Sequence, residues 1–158
     1  MITFALATTL GVVAAISVFI SSSLALPTWV LFIAWTSYYL FEANLKSASI
    51  VLVQQILGIF IAIVIQYGGT RLSHPLGELG FPLMVFVVMT AIFYISKLKY
   101  INNIPAYFLG MIVWFGSQTE PNLKTIIVLS LTLIAGYFFA WLNIIIGQKI
   151  QEKLLIKG

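Results

Sequence analysis

Long apolar runs, separated by short polar intervals, dominate the sequence. None of them shows the strict alternation of a membrane β-strand, so the pattern predicts helices. Helices 2 and 5 begin at prolines, helix 3 is expected to stop at Gly68-Gly69, and a polar tail, Gln148–Gly158, follows helix 6. The predicted helices, in chain order, are Ile2–Leu24, Pro27–Phe41, Leu45–Tyr67, Leu79–Leu98, Pro105–Gln118 and Leu123–Gly147.

Helices 2 and 5 are shorter than the other predicted helices. At about 1.5 Å per residue each extends about 22 Å, whereas the hydrocarbon core of a bilayer is about 30 Å thick. Their C-terminal turns carry hydroxyl and amide groups, Thr36-Ser37 in helix 2 and Ser117-Gln118 in helix 5. We therefore expect both helices to lie inside a bundle, with these polar ends facing the protein interior and water.

The sequence contains an internal repeat, in which residues 26–62 align with residues 104–140 without a gap and with ten identities. We call this displacement, which carries residue 26 onto residue 104, the repeat shift. The informative matches are Pro27 with Pro105 and the polar loop Glu42-x-Asn-Leu-Lys with the loop that begins at Glu120. Charged and helix-breaking residues are rare in this chain, so they match by accident less often than leucine or phenylalanine does. The alternative, independent drift onto a common loop length, stays open.

The repeat predicts two homologous halves within one membrane domain, residues 1–78 and residues 79–158. Each half contains a long helix, a short helix and a second long helix. Three crossings are an odd number, so two such halves in tandem have opposite orientations in the membrane. The predicted fold is therefore an all-α integral membrane protein of six transmembrane helices, arranged as two inverted three-helix repeats.

The composition agrees with a protein whose solvent is lipid. Hydrophobic residues make up 61% of the 158 residues and charged residues 8%, whereas a soluble domain carries about 25% charged residues. This balance excludes a cytosolic enzyme and a disordered tail. The chain has no cysteine, which excludes disulfides and thiolate metal sites.

The basic residues indicate an orientation. Six predicted helices place both termini on one side of the membrane. Six basic residues lie on that side, Lys46, Lys97, Lys99, Lys149, Lys153 and Lys157, and two lie on the other, Arg71 and Lys124. The positive-inside rule then places both termini in the cytoplasm, and it explains the basic charge without nucleic acid. Helix 1 lacks the basic start of a cleaved signal, so we expect it to be retained.

The polar residues within the apolar runs are the candidates for lining a transport pathway. The alternative is that they form hydrogen bonds between helices in a dry core. Glu42 and Glu120 are candidate mouth residues, against the simpler interpretation of solvated loop carboxylates, and Asn44 and Asn122 are predicted N-caps. The pathway candidates are Thr36, Ser37, Tyr39, Gln54, Trp114, Ser117, Gln118 and Thr132.

Catalytic chemistry is not indicated. His74 is the only histidine and stands in a loop without a nearby acidic cluster, so neither a metal site nor a Ser–His–acid set is predicted. We expect no cofactor and no enzymatic activity.

Two stretches, which together cover most of the chain, carry a resemblance to a known family. Their matching residues are Trp29, Phe32, Thr36, Tyr38, Tyr39, Leu45, Lys46, Gly58, Tyr67, Gly68, Pro105, Phe108, Gly110, Phe115, Gln118, Ser130, Leu131, Gly136 and Tyr137. In these residues the chain resembles the small bacterial inner-membrane family known as domain of unknown function 1097, and it departs from the family pattern at Glu120-Pro121 and at Ala106. The family has no established activity, so the resemblance implies a small inner-membrane protein and nothing about a substrate.

Two functional hypotheses follow from the sequence. The first is a small channel or carrier for a small polar solute or ion, with helices 2 and 5 along the route. The second is a non-transporting adaptor or subunit that packs against other membrane proteins. A thin bundle with much apolar surface is also expected to form a homo-oligomer.

Overall fold

The computed structural model describes residues 2–155, and side chains as far as Lys153. Within this range the chain forms helices and no strand, which confirms the all-α class. The elements are α1 (Ile2–Ser23), α2 (Thr28–Leu40), α3 (Leu45–Leu76), a 3-10 turn (Gly77–Leu79), α4 (Gly80–Ile95), α5 (Ile104–Ser117) and α6 (Leu123–Leu155).

Three helical stretches are long and apolar enough to cross a membrane, as judged from length and composition. They are Ile2–Ser23, Leu45–Ile95 and Leu123–Lys153. The middle stretch contains α3, the 3-10 turn and α4, with Gly77 in the left-handed region at φ 57°. Glycine adopts this conformation without the steric cost that a side chain brings, so Gly77 fits the reversal between the two helices.

The prediction that helix 3 stops at Gly68-Gly69 is wrong, because α3 continues to Leu76. These two glycines make room for a neighbouring helix. A Cβ added at Gly68 would lie 2.7 Å from Met84 Cε, and one at Gly69 would lie 2.5 Å from Phe81 Cδ2. Close helix packing, rather than helix termination, therefore accounts for the pair.

Helix 6 is likewise longer than predicted, since α6 passes Gly147 and continues to Leu155. The first residues of the predicted polar tail, Gln148 to Lys153, include Gln, Lys and Glu, which favour helices, and no proline. Lys157 lies outside the described residues. Helix 4 ends earlier than predicted, at Ile95, and the other helices agree with the prediction to within one residue at each end.

The chain divides into two compact units. Unit 1 contains Met1–Ala48 and Val128–Gly158, and unit 2 contains Ser49–Ile127. Each unit thus combines the first two helices of one predicted half with most of the third helix of the other half. The repeat shift places Ala48 on Ile126, so the second division, after Ile127, falls one position from the equivalent of the first. The halves themselves, 1–78 and 79–158, stay a prediction about the repeat.

Each unit contains a close crossing of a long and a short helix at a glycine. In unit 2, a Cβ on Gly58 of α3 would collide with the Tyr107 carbonyl oxygen of α5 and would lie 3.0 Å from Gly110 Cα. In unit 1, a Cβ on Gly136 of α6 would collide with the Leu31 carbonyl oxygen of α2. Gly58 and Gly136 are equivalent under the repeat shift. Both glycines therefore permit close helix packing.

Candidate functional site

The C-terminal turn of α2 in unit 1 presents its polar side chains in different directions. Ser37 is buried and its hydroxyl donates a hydrogen bond to the Ile33 carbonyl oxygen at 2.7 Å. Thr36 is exposed, because neighbouring residues on a helix point about 100° apart. Tyr38 is buried, and its ring lies edge-to-face on Tyr137 with centroids 6.2 Å apart.

The equivalent turn of α5 in unit 2 is organised around Trp114, which is 1% exposed. Its indole N–H donates to Oε1 of Gln66 on α3 at 2.6 Å. The half-buried Ser117 hydroxyl donates to the Trp114 carbonyl oxygen at 2.7 Å and lies 2.9 Å from the Thr119 hydroxyl. Gln118 is exposed, since it follows the last turn of α5 in the left-handed conformation at φ 50°.

The structure therefore brings only some of the predicted polar ends into the protein interior. Ser37 is buried and Ser117 half-buried, whereas Thr36 and Gln118 lie on the surface. The interior location predicted for all four side chains is wrong for Thr36 and Gln118. Their part in a pathway stays a prediction.

The pathway candidate Gln54 forms hydrogen bonds through both ends of its amide. It is fully buried in unit 2, where its amide nitrogen donates to the Tyr100 carbonyl oxygen at 3.2 Å. Its amide oxygen accepts from the Asn103 N–H at 3.0 Å. One side chain thus fixes the loop between α4 and α5. Its repeat equivalent in unit 1, the buried Thr132, instead donates to the Val128 carbonyl oxygen of its own helix at 2.7 Å.

The helices that follow the two polar loops, α3 and α6, are N-capped by asparagine, as predicted. The Ser47 N–H donates to Asn44 Oδ1 at 2.9 Å, and the Thr125 N–H donates to Asn122 Oδ1 at 2.8 Å. The mouth candidate Glu42 accepts from the Ser47 hydroxyl at 2.6 Å. Hydrogen bonds from Ser47 and Asn44 favour the ionised carboxylate, so they lower the pKa of Glu42 below its ordinary value.

Unit 2 has a cleft of about 520 Å³ beside the C-terminal half of α3, which we call the unit 2 cleft. Arg71 Nη2 donates to the Tyr67 hydroxyl at 3.4 Å, and its guanidinium lies 4.8 Å from the centroid of the Tyr67 ring. Glu120, the second mouth candidate, is part of the wall. The lining residues are Gln66, Tyr67, Thr70, Arg71, Glu120 and Pro121.

Unit 1 has a cleft of about 570 Å³ toward the end of α6, which we call the unit 1 cleft. Its wall is largely apolar, with Leu6, Leu10 and Ile144 among its side chains. The pathway candidate Tyr39 also lines it, and its hydroxyl accepts a hydrogen bond from Asn143 Nδ2 at 2.8 Å. The buried Asn143 Oδ1 has no hydrogen-bond partner within the described residues.

The two clefts share two positions of the repeat. Gln66 and Thr70 line the unit 2 cleft, and their equivalents under the repeat shift, Ile144 and Gln148, line the unit 1 cleft. Sequence reasoning missed both clefts and the two amides, Gln66 and Asn143, that bond within them. The available signal was an amide inside an apolar run, which needs a partner in a membrane.

Metal binding has no structural candidate in residues 2–155, where no group of three His, Cys, Asp or Glu side chains gathers. The candidate site is therefore a pair of clefts, one in each unit, with polar groups behind them.

Composition and structure together define an all-helical protein with apolar helices of membrane-spanning length. More narrowly, the chain belongs to the family described as protein of unknown function DUF1097, which matches residues 7–148. This confirms the resemblance found in the sequence. Comparison with curated proteins and with solved structures gives no match.

Proposed function

We propose that the protein is a small channel or carrier for a small polar solute or ion in the bacterial inner membrane. Both termini lie in the cytoplasm, and two inverted three-helix halves form the bundle. The supporting observation is the pair of clefts, one in each unit, which share two positions of the repeat. In this topology α3 ends at the periplasmic face and α6 at the cytoplasmic face.

The helix positions support the inverted repeat. The repeat shift places the start of α1 on the start of α4, and the start of α3 on the start of α6. The Asn44 and Asn122 caps and the Gly58 and Gly136 crossings correspond in the same way. An odd number of crossings per half then implies opposite orientations.

The proposed route runs from each cleft toward the polar turn behind it. We assign Tyr39 and Ser37 to this route in unit 1, and Trp114 and Ser117 in unit 2. Tyr39 lines the unit 1 cleft, and Trp114 bonds to Gln66 in the wall of the unit 2 cleft. The large buried rings of Trp35 and Trp114 narrow the route. Gln54 and Thr132 contribute polar groups deeper along the third helices.

The adaptor function is the second candidate, and one observation favours it. Gln54 uses both ends of its amide on the loop between α4 and α5, as expected of a structural group in a dry core. Thr132 and Ser37 likewise bond to carbonyl oxygens of their own helices.

Cysteine accessibility decides between the two functions, and the chain has no native cysteine to remove. Single cysteines at Thr70 and Gln148 report the clefts, and cysteines at Ser37 and Ser117 report the route behind them. A pathway predicts that a small water-soluble thiol reagent modifies all four positions in native membranes. Cysteines at the exposed apolar positions Val64 and Phe138 are the lipid-facing controls and should stay unmodified. Modification at Thr70 and Gln148 alone, with the cysteines at Ser37 and Ser117 unmodified in folded protein, would favour the adaptor.

Transport itself is measured in proteoliposomes. Osmotic swelling in small polar solutes should be faster than in empty liposomes, and a bulky thiol reagent attached at Thr70→Cys should slow it. Swelling equal to that of empty liposomes for every solute and ion tested would count against a channel or carrier.

Orientation and assembly have separate tests. Reporter fusions at Lys46, Lys99 and Lys157 should score as cytoplasmic and a fusion at Arg71 as periplasmic; any other pattern contradicts the inverted repeat. Crosslinking in native membranes should yield a closed homo-oligomer, and a product that is only monomeric contradicts this part of the proposal.

A further inference from the structure

The unit 2 cleft is lined by two opposite charges that form no ion pair within the described residues. Arg71 and Glu120 both line it. Arg71 makes its described contacts with Tyr67, and among residues 2–155 it has no carboxylate partner. Oppositely charged groups that face one cleft without pairing remain available to a ligand that carries both signs.

The Arg71 guanidinium lies against the Tyr67 ring. It lies 4.8 Å from the centroid of the Tyr67 ring and donates one hydrogen bond, at 3.4 Å, to the hydroxyl of the same residue. A guanidinium has five N–H donors in a planar fork that matches a carboxylate or a phosphate. The contact with Tyr67 therefore orients the fork and leaves most of its donors unused.

Gln66 adds a neutral donor at the inner wall of the cleft. Its amide oxygen is occupied by the Trp114 indole at 2.6 Å, which fixes the orientation of the amide. The amide nitrogen makes no hydrogen bond within the described residues. The cleft thus combines a cation, a carboxylate and an oriented N–H donor, and its volume of about 520 Å³ admits a small solute with water around it.

We propose that the unit 2 cleft binds a small zwitterion, with its anionic group on Arg71 and its ammonium group on Glu120. This deepens the proposed function, on which it rests for the idea that the cleft is the mouth of a pathway. Free amino-acid-like solutes carry this chemistry, and so does the headgroup of an ethanolamine phospholipid. A purely anionic ligand would face Glu120, and a purely cationic ligand would face Arg71, so both bind less well.

Protection of a cleft cysteine from modification measures this binding without any need for transport. The protein with Thr70→Cys is purified in a maltoside detergent free of zwitterionic lipid, and the rate of modification by a small thiol reagent is measured. The probes are γ-aminobutyrate, butyrate and butylammonium, which share a chain length and differ in charge. We expect γ-aminobutyrate to slow modification at a lower concentration than either singly charged probe.

Charge variants identify the groups responsible. Arg71→Gln and Glu120→Gln should each weaken protection about tenfold or more, because each removes a charge-assisted contact. The exchange Arg71→Glu with Glu120→Arg should restore part of it. Lys124→Gln is the matched control, since it removes an exposed charge from the same unit outside the cleft, and it should leave protection unchanged.

A lipid arm identifies the source of the zwitterion. The same rate is measured in nanodiscs of phosphatidylglycerol, with and without phosphatidylethanolamine. Protection that requires phosphatidylethanolamine and is lost in both neutralised variants supports the site with a headgroup as its ligand. The proposal is overturned if neither arm protects, if the singly charged probes protect equally, or if both variants keep protection. If the Thr70→Cys thiol is protected but cysteines at Ser37 and Ser117 stay unmodified in the accessibility test, the pathway is contradicted and the binding site is supported.

Discussion

Units 1 and 2 use the same helix crossing and secure it with different polar groups. In both units a third helix meets a short helix at a glycine, Gly136 in unit 1 and Gly58 in unit 2. In unit 2, Gln54 and Gln66 then form hydrogen bonds to the α4–α5 loop and to Trp114. In unit 1 the position of Gln54 is taken by Thr132, whose hydroxyl bonds within its own helix.

The difference shows which features of the repeat depend on backbone packing. A glycine that faces a carbonyl oxygen at van der Waals contact has no substitute, because any side chain collides with a rigid helix. A buried polar group requires only that it be satisfied, and an amide bonded to a loop and a hydroxyl bonded to its own helix meet this requirement equally. The four predictions that follow probe this comparison.

Substitution of the crossing glycines should have the largest effect on stability. Gly58→Ala and Gly136→Ala each place a methyl group against a backbone carbonyl, and each should lower the free energy of unfolding by about 3 kcal/mol. Thermal unfolding in detergent measures both. Gly11→Ala is the control, because nothing lies within 4 Å of the added Cβ, and it should be neutral or stabilising. A large loss in one unit and none in the other would break the equivalence of the two crossings.

Removal of the buried polar groups should lower the free energy of unfolding by different amounts in the two units. Gln54→Leu leaves the Asn103 N–H and the Tyr100 carbonyl oxygen without their partner, at a cost of about 2 kcal/mol. Thr132→Val removes a hydrogen bond within one helix and should cost about 0.5 kcal/mol. The same unfolding measurement applies. Equal losses would mean that Gln54 does not anchor its loop.

The coupling energies of the interhelical hydrogen bonds should differ between the two units by a smaller amount. A double-mutant cycle of Gln66→Leu with Trp114→Phe should give a coupling of about 1 kcal/mol, since Trp114 is almost fully buried. The cycle of Asn143→Leu with Tyr39→Phe should give less, because Tyr39 is 43% exposed. A larger coupling in unit 1 than in unit 2 would reverse this order.

The smallest effect concerns the loop before α3. A carboxyl whose pKa is lowered in the folded state stabilises the protein above its unfolded pKa, and this contribution is lost as the pH falls through the folded value. The hydrogen-bonded Glu42 therefore makes the protein slightly less stable as the pH falls below the ordinary value of 4.5. Glu42→Gln should flatten this part of the stability profile, with unfolding temperature against pH as the measurement. An unchanged profile would show that the loop contributes no measurable proton linkage.

Helix positions were predictable where the chain signals them locally. Pro27 set the start of α2 to within a residue, and the caps at Asn44 and Asn122 followed from residue type and position. Gly68-Gly69 misled because a glycine pair has the same appearance whether it ends a helix or admits a neighbour. Only Met84 and Phe81, which pack against it from α4, decide between these interpretations.

The candidate site was predictable in part. The polar turns of α2 and α5 were found, but the sequence does not show that Trp114 bonds to Gln66, or that Arg71 and Glu120 line one cleft. Such contacts depend on which helices share a unit. Apolar faces are chemically alike in lipid, so sequence periodicity does not select among helix partners.

The division of the chain imposes an order of assembly during synthesis. Unit 2 is one continuous segment, Ser49–Ile127, whereas unit 1 joins Met1–Ala48 to Val128–Gly158. As the chain emerges from the ribosome, α1 and α2 are made first, yet α6, which belongs to the same unit, is made after the whole of unit 2. Unit 2 is therefore complete in the growing chain before unit 1 has its last helix.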